Sequence, residues 1–599
     1  MKNRKRLLAM LLAGALSAGC LAGCGNNEVK QKSSEEQTAN LSSQEVNAEG
    51  SAEAEASREP ITTDPITISI LTSRHGETTN DASELWCFKY LEYWMNQQGY
   101  NITIEVQQTN EISEQINLLL GTDSLPDIVW GIDLTPENAV VYGADEKMIL
   151  DWNPYINEEI MPNVYKAFQE KPDALAASTC TDGGLYGLPC LGIEKYMTPQ
   201  AGFGMVDRVY VDQKWLDECN LEMPTDIESF IDTLRAFKEN IKSESGEEII
   251  PLVSNSDFLQ KYLWTGLGYY GSDLSAYGTE FAIKDGQVEF PAATDDYRTF
   301  IEVMRTLFEE GLISQDFFTM DATVMHGYTK SGLCGMVCDW TLTDTQNFRD
   351  MVAVPPVTLG DNDEIAISAS VTYYPMKIWV SADTEYPEVI AKMLDYFYSD
   401  EGSVLLKYGP MEGQDPLNLL DGWYFDENGK VTTKLVEDGT YSQFTLYTRQ
   451  YIYPTDYAGD LRNVVTNAAK MAGVDYSEKE GPVFTDSITG EKVNSVISKE
   501  YSEEDADGWW RITTTDTWGP YVTFVRLPGV YMSREDSVRA GELSTVLNQY
   551  ISAESAKFIT GIRPISELDA YFEELKKLGV EEYIEIYRTA YSTYMDSVF

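Results

Sequence analysis

Residues 66–130 alternate between strand-like and helix-like patterns, and this alternation restricts the possible folds more than any other feature of the chain. Apolar residues alternate along residues 66–71 and 102–106, and residues 127–130 form a short apolar run. Between them, residues 85–95 and 111–120 carry apolar side chains at helical spacing. Strands that are joined through helices by short links predict a parallel sheet layered by helices. We therefore expect an α/β fold.

Parallel sheets of this kind bind ligands beyond the carboxyl ends of their strands. A ligand site at this rim is the first functional expectation from the sequence. The residues that follow the first and third predicted strands are expected there: Ser73, Arg74, His75, Trp130, Gly131 and Asp133.

Helical stripes recur through the rest of the chain. Apolar residues repeat at helical spacing over residues 227–237, 297–308, 389–397 and 568–578, and we interpret these stripes as core. The roughly 535 residues from Ile66 onward are too many for one small core and predict two or more lobes. The predicted helix starts are the capping boxes Asp81/Glu84 and Thr225/Glu228, the cap Thr294 and the first-turn Pro387.

The first 24 residues have the pattern of an export signal. Four basic residues precede an uncharged apolar stretch at residues 7–22, which is too short for a comfortable membrane span. Leu-Ala-Gly directly before Cys24 resembles a bacterial lipobox, in which the thiol is acylated and the Cys becomes the new N-terminus. The rival Cys20 follows Ser-Ala-Gly, with a polar residue where the pattern requires Leu. We therefore predict a signal peptide at residues 1–23 and lipidation of Cys24, with a plain secretory signal as the alternative.

Residues 24–63 have the composition of a disordered tether. They are rich in Ser, Glu, Gln, Ala and Asn, and contain few strongly apolar side chains. Such a segment cannot bury enough surface to offset its ordering entropy. We therefore expect a folded body that is lipid-anchored at the extracellular face of the cell membrane.

The charge of the chain excludes some partners. Without the leader, 40 basic and 97 acidic residues leave a formal net charge of −57. Long-range attraction to nucleic acid or anionic lipid is not expected for such a body.

The cysteine and histidine content disfavours metal and nucleophilic chemistry. Cys334 and Cys338 enclose an apolar run that is typical of a buried strand, and no second Cys/His pair lies nearby, so we predict free core thiols. His75 and His326 are the only histidines, and His326 lies in no motif, which favours a satisfied surface or groove residue. We expect no metal site, no cofactor and no catalytic residue.

Several motifs, in consecutive order, resemble those of one protein family. Residues 182–189 read Asp-Gly-Gly-Leu-Tyr-Gly-Leu-Pro, with Gly184 in place of the family's usual Lys, and residues 214–225 match except at Cys219 and Asn220. Further matches lie at residues 118–129, 330–336, 399–402 and 560–565. With these motifs the chain resembles extracellular solute-binding proteins of the type that includes maltose-binding protein.

The resemblance implies a periplasmic-binding-protein-like type II fold, with two α/β lobes, a central cleft and a hinge. It places the crossings between lobes at residues 186–189 and 372–379. The implied domains are lobe one at residues 64–189 and 376–460, lobe two at 190–375 and 530–599, and an insertion of uncertain assignment at 461–529. The implied function is delivery of a solute to the permease subunits of an ABC transporter, by a monomer.

The aromatic content suggests which solute the cleft binds. The chain has 12 Trp, 37 Tyr and 21 Phe. Sugars present apolar faces to aromatic rings and hydroxyl edges to charged and polar groups. We therefore expect a carbohydrate, an oligosaccharide by preference. The candidate ligand-binding residues, some by family position only, are Arg74, Trp130, Asp133, Asp257, Trp264, Asp339 and Trp340.

Several alternatives stay open. The same architecture could bind a peptide or another small solute, and an anchored glycoside hydrolase is the outside alternative, because Asp257 and Asp339 are paired acids in principle. The three tryptophans Trp509, Trp510 and Trp518 could line the mouth or simply pack. Residues 424–431 predict a hairpin, with a plain turn favoured over a calcium loop.

Overall fold

The computed structural model describes the body of the protein with several gaps. By contact density the chain divides into residues 1–58 and 59–599, and all described residues lie in the second unit. Within them, no helix has both the length and the apolar character needed to span a membrane. The predicted signal peptide, Cys24 and most of the predicted tether lie outside the described residues. The described ranges are 61–73, 81–191, 208–243, 246–270, 274–339, 341–342, 344–360, 365, 367–368, 373–425, 431–434, 472–473, 479–485, 492–497, 503–504, 506–523, 527 and 529–598.

Strands are distributed along the whole of this body. Their bounds are β1 (Ile66–Ser73), β2 (Ile102–Thr109), β3 (Ile128–Trp130), β4 (Leu188–Leu191), β5 (Arg208–Asp212), β6 (Ile250–Val253), β7 (Ala282–Lys284), β8 (Gln287–Glu289), β9 (Cys334–Asp339), β10 (Met351–Ala353), β11 (Ile367–Ser368), β12 (Tyr373–Val380), β13 (Trp423–Phe425), β14 (Val431–Thr433), β15 (Lys479–Thr485), β16 (Lys492–Ile497) and β17 (Val522–Thr523).

Helices separate most of the strands. Their bounds are α1 (Trp86–Gln97), α2 (Ile112–Thr122), α3 (Pro136–Asn138), α4 (Pro162–Glu170), α5 (Pro172–Ser178), α6 (Gln213–Cys219), α7 (Ile227–Asn240), α8 (Ser256–Gly266), α9 (Asp296–Glu309), α10 (Ala322–Ser331), α11 (Pro387–Asp395), α12 (Asp400–Tyr408), α13 (Ala506–Trp518), α14 (Arg534–Ile559), α15 (Leu568–Lys577) and α16 (Val580–Val598).

The first sheet has the strand order β2-β1-β3-β12-β4. Strands β1, β2 and β3 are parallel, as the alternation along residues 66–130 predicts, and β12 runs antiparallel to β3. Both faces are covered: Ile68 and Ile70 pack into one hydrophobic cluster, while Leu71 and Val129 pack into another on the opposite face. This is why the short strand β3 is apolar throughout. We call this sheet with its covering helices the first lobe.

The second sheet has the strand order β10-β5-β9-β6 and forms the second lobe with its helices. Strand β9 is parallel to β6 and antiparallel to β5. Helices α7, α8 and α10 contact β9. Cys334 and Cys338 are buried in β9 and form no disulfide bond, which confirms the prediction of core thiols.

The two segments that resemble crossings are strands of the first sheet. Residues 188–191 form β4 and residues 373–380 form β12, and the two strands pair with each other. The chain passes between the sheets after Leu191 and before Tyr373. Residues 188–189 and 373–379 of the expected crossings are therefore strand residues of the first sheet, and the position of the crossings stays a prediction.

Local helix starts differ from the predicted ones by a residue or a turn. Asp226, and not Thr225, caps α7, with Ser229 completing the capping box. Asp81 caps a short 3-10 turn, and α1 begins only at Trp86 after an N-cap Leu85 that makes no side-chain bond. The caps shift because a capping side chain must reach a free N–H two or three residues ahead, and several residues can do this.

Thr294 does not cap α9, whose N-cap residue is Asp295, whereas the first-turn Pro387 of α11 is confirmed. The hydroxyl of Thr294 donates instead to the Pro291 carbonyl at 2.9 Å. The predicted hairpin is also confirmed, since β13 and β14 pair with Phe425 opposite Val431.

The C-terminal helices contact elements of both lobes. Helix α14 packs on α9 of the second lobe and on α3 of the first, and α16 packs on β8 and on α5. The predicted lobe boundaries, which give residues 530–599 to lobe two alone, remain a prediction.

Candidate functional site

Two connections join the two sheets. In each sheet, both connections begin at the same end. In the first sheet Leu191 and Tyr373 lie at the end where β1 and β3 have their carboxyl termini. In the second sheet Arg208 and Ala353 mark the end at which β9 finishes with Asp339. We call these the first rim and the second rim. The space next to the connections, between the rims, is the candidate site, in agreement with the position of ligands in α/β sheets.

The first rim presents Asp133 to solvent but keeps Trp130 in the core. Trp130 ends β3, yet its side chain is only 1% exposed and is met edge-on by Phe88 and Phe397, at centroid distances of 6.0 and 5.5 Å. Asp133 is exposed three residues further on. Trp379 fixes the turn between them by donating its indole N–H to the Ile132 carbonyl at 2.9 Å.

The second rim carries a cluster of charged groups around Asp339. Asp339 is 2% exposed and lies opposite Arg208 across the β5–β9 ladder. Its Oδ2 is 3.1 Å from Nε2 of His326, and Nδ1 of the same ring is 3.1 Å from Oδ2 of Asp344. The hydrogen bond to Asp339 raises the pKa of His326, against burial, which lowers it. Lys330 completes the cluster with a 2.9 Å contact to Asp344.

Two guanidinium groups lie over one indole ring near the same rim. Trp510 on α13 is buried, and the Cζ atoms of Arg208 and Arg511 lie 4.7 and 4.2 Å from its ring centroid. Stacking of this kind orients the planar donor groups of arginine.

The other two tryptophans of α13 fasten the helix to the second sheet. Trp509 donates to the Met351 carbonyl at 2.7 Å, and Trp518 donates to the Val354 carbonyl at 2.6 Å. The sequence left open whether these tryptophans line the mouth or pack. Trp509 and Trp518 pack against the second sheet, while Trp510 lies beside the rim residue Arg208.

Asp257 and Trp264 lie on the same helix, α8, but in different surroundings. Asn255 caps the helix by accepting from the N–H groups of Asp257 and Phe258, and the Asp257 carboxylate pairs with Lys261 at 2.6 Å. Trp264, two turns further along, is fully buried and stacks on Phe300 at 4.4 Å. Because β6 is parallel to β9, it also ends at the second rim, and Asp257 comes four residues after that end. Trp264, in contrast, is part of the core.

The structure thus brings Asp257 and Asp339 to one rim and places Asp133 at the other. Trp130 and Trp264 have no ring face open to a solute, and ligand contact by them stays a prediction. Arg74 and Trp340 lie outside the described residues, and ligand contact by them also stays a prediction.

Sequence reasoning missed Arg208 and the central position of His326, and it left open whether Trp510 lines the mouth or packs. Arg208 and Trp510 lie 302 residues apart, and no local motif links them. His326 occupies one turn of an ordinary amphipathic helix, so its two carboxylate neighbours could be recognised only from the tertiary structure. The described residues contain no group of three or more His, Cys, Asp or Glu side chains arranged to hold a metal ion.

A model of the bacterial extracellular solute-binding protein family matches residues 88–404, more than half of the chain. The chain belongs to this family. The match includes the strands β2 to β6, β9, β10 and β12, and therefore both rims.

Two relatives are similar to the chain over more than half of its length. A fructooligosaccharide ABC transporter substrate-binding protein, FusA, of Streptococcus pneumoniae is 25% identical over 510 residues, which cover 82% of this chain and 85% of the relative. The lipoprotein LipO of Bacillus subtilis is 20% identical over 408 residues, covering 62% of this chain and 74% of LipO.

Solved structures confirm the fold. The FusA complex with kestose has a TM-score of 0.65 at 20% identity and covers 89% of this chain and 100% of FusA. A solute-binding protein from Bifidobacterium longum infantis, described as binding human milk oligosaccharides (HMO), has a TM-score of 0.66 at 20% identity, covering 90% of this chain and 99% of that protein. The expectation of a two-lobed α/β periplasmic-binding-protein-like fold is confirmed.

Proposed function

We propose that the protein captures an extracellular oligosaccharide between its two rims and delivers it to the permease of an ABC transporter. One observation carries the proposal: similarity to a fructooligosaccharide-binding protein extends over 82% of this chain and 85% of the relative. A match over this length includes both lobes and is not limited to one shared motif.

The chemistry of the rims supports a hydroxylated ligand. Asp133 and Asp257 are accessible carboxylates on opposite sides of the candidate site, and Asp339 lies beneath the second rim. Carboxylates accept strong hydrogen bonds from sugar hydroxyls. Arg74 and Trp340 remain proposed ligand contacts on the basis of their sequence positions.

Isothermal titration calorimetry with a ligand panel tests the proposal. The panel contains kestose and longer fructooligosaccharides, milk oligosaccharides, alginate oligosaccharides, the constituent monosaccharides and a set of tri- to pentapeptides. We expect saturable one-to-one binding of one oligosaccharide class and no heat from peptides. Binding of peptides alone would replace the carbohydrate proposal with the peptide-receptor alternative.

We also propose that the bound solute is released unchanged. The family to which the chain belongs consists of solute-binding proteins. Incubation of the protein with its oligosaccharide, followed by chromatography of the sugars, should return only the starting material. A shortened product that disappears in an Asp339→Asn variant would instead establish the hydrolase alternative.

The anchor is proposed from the leader sequence. Cys24 follows Leu-Ala-Gly, and acylation there would tether the body by lipid chains that contribute about 0.8 kcal/mol per buried methylene. A Cys24→Ala protein should appear in the culture medium, whereas the matched Cys20→Ala protein should stay in the membrane fraction. Retention of the Cys24→Ala protein in membranes would contradict the assignment of Cys24.

A further inference from the structure

His326 bridges two carboxylates at the second rim. Both of its ring nitrogens are engaged, Nε2 by Asp339 and Nδ1 by Asp344, each at 3.1 Å. Thr329, one turn further along α10, donates its hydroxyl hydrogen to the Asp344 carbonyl at 2.9 Å. Helix α10 therefore contacts both Asp339 and Asp344. We call the contacts of His326 with Asp339 and Asp344 the rim clamp.

The rim clamp requires a charged imidazole. A carboxylate accepts hydrogen bonds and donates none, and a neutral imidazole has one N–H, so it can satisfy only one of the two partners. The imidazolium form has two N–H groups and satisfies both. Loss of the proton therefore removes one of the two hydrogen bonds of the clamp.

The two carboxylates around His326 favour its imidazolium form, whereas the positive charge of Lys330 opposes it. Asp339 faces it from β9 and Asp344 from the segment that follows, while Lys330 on its own helix pairs with Asp344. Arg208 on β5 lies opposite Asp339. Strand β6, which α10 also contacts, contains only Ile, Pro, Leu and Val, and so contributes no ionisable side chain.

We propose that His326 is a positioning residue of the solute site: as an imidazolium it fixes Asp339 and Asp344 at the second rim and thereby makes solute affinity depend on pH. The inference rests on the proposed function, because it assumes that the solute binds at this rim. A rim whose carboxylates are already fixed loses less conformational entropy on binding, which strengthens the complex. Deprotonation above the pKa of His326 should loosen the rim and weaken binding.

Because solute binding and proton binding are linked, the inference can also be tested by measuring the pKa of His326 with and without the solute. If the bound state favours the imidazolium, saturation with the solute must raise the pKa of His326 by the same coupling that weakens binding at high pH. The whole chain contains only two histidines, His75 and His326. Their imidazole signals in a nuclear magnetic resonance (NMR) titration can therefore be assigned with a His326→Gln variant.

The experiment combines this titration with calorimetry between about pH 5 and about pH 8.5, using the oligosaccharide that binds the parent protein. We expect parent affinity to fall by about tenfold through the pKa of His326, the equivalent of one charged hydrogen bond. His326→Gln should bind weakly at every pH. His326→Arg, which keeps two N–H donors and the charge, should bind tightly at every pH.

The possible failures can be told apart. Absence of oligosaccharide binding by the parent at any pH overturns the proposed function, and the positioning role falls with it. Tight binding that does not change while the NMR signal of His326 titrates overturns the positioning role alone. If His326→Gln does not fold, the pH profiles of the parent and of His326→Arg decide the question by themselves.

Discussion

Asp395 is a buried carboxyl group that gives the first lobe a pH-dependent stability. It is 5% exposed at the end of α11 and accepts hydrogen bonds from the Val164 N–H at 2.9 Å and from the Asn163 amide at 2.7 Å. Burial outweighs these bonds and raises the pKa of Asp395 to about 6, from 3.8. The folded protein therefore holds this proton more tightly than the unfolded chain does.

The raised pKa of Asp395 fixes the sign of its effect on stability. Its contribution is fully present below about pH 4 and is lost as the pH rises through about 6. Between pH 5 and pH 7 the parent should lose about 1 kcal/mol of unfolding free energy that an Asp395→Asn variant keeps. Urea unfolding at both pH values measures the difference, with Asp383→Asn, at an exposed position, as the matched control. Identical pH profiles of the parent and Asp395→Asn would contradict the assignment.

Trp340 remains a proposed platform for a sugar ring. Truncation of an anchoring aromatic commonly costs over 2 kcal/mol of binding free energy, so Trp340→Ala should weaken solute binding by at least about tenfold without changing circular dichroism. Trp264→Ala is the contrasting variant: Trp264 is a core residue stacked on Phe300, and its loss should lower the unfolding free energy by about 3–5 kcal/mol. Affinity of Trp340→Ala equal to that of the parent would remove Trp340 from the site.

The sequence located the strand end at Trp130 but not the direction of the side chain. Successive residues of a strand point to opposite faces, so the end of a strand alone does not show whether a ring faces a ligand or the core. For Trp130 the answer depends on Phe88 and on Phe397, which lies 267 residues away along the chain. A contact over that separation leaves no local pattern.

At the scale of elements, the pairing of strands β4 and β12 is irregular. Their register shifts between Tyr374 and Ile378, and Met376 has a left-handed backbone with φ of 54°. Gly187 packs against this irregularity, and a Cβ atom added there would lie 2.7 Å from the Cα of Met376. Glycine is required at this position because a side chain would collide with backbone.

Gly187→Ala should therefore lower the unfolding free energy by about 1–3 kcal/mol through overpacking. Gly121→Ala is a matched control, because Gly121 lies in α2 with no atom within 4 Å of an added Cβ and should gain up to about 1 kcal/mol. Denaturant unfolding of the two variants and the parent measures both effects. Equal stability of Gly187→Ala and the parent would mean that the junction can relax.

Element types were predictable where periodicity extended over several residues. The alternation over residues 66–130 predicted three parallel strands and the helices between them, and the structure confirms these. The partner of each later strand was not predictable, because β4 and β12 pair across 181 intervening residues. The family resemblance implied that residues 64–189 and 376–460 share a lobe, but it did not predict this strand pairing.

At the scale of the whole molecule, the lobes are linked by more than the two connections. Helices α14 and α16 pack on elements of both lobes. These contacts are made by helices, whereas the rims lie at the strand ends. We expect the rims to approach each other on ligand binding, because contacts that a solute makes with both rims stabilise the closed state selectively.

Small-angle X-ray scattering with and without the oligosaccharide identified by calorimetry tests this account most directly. At saturating oligosaccharide the radius of gyration should decrease, since a solute between the rims draws the two lobes together. A sugar that does not bind in the calorimeter serves as the control and should leave the scattering unchanged. An unchanged radius of gyration under full saturation would contradict a site between the two rims.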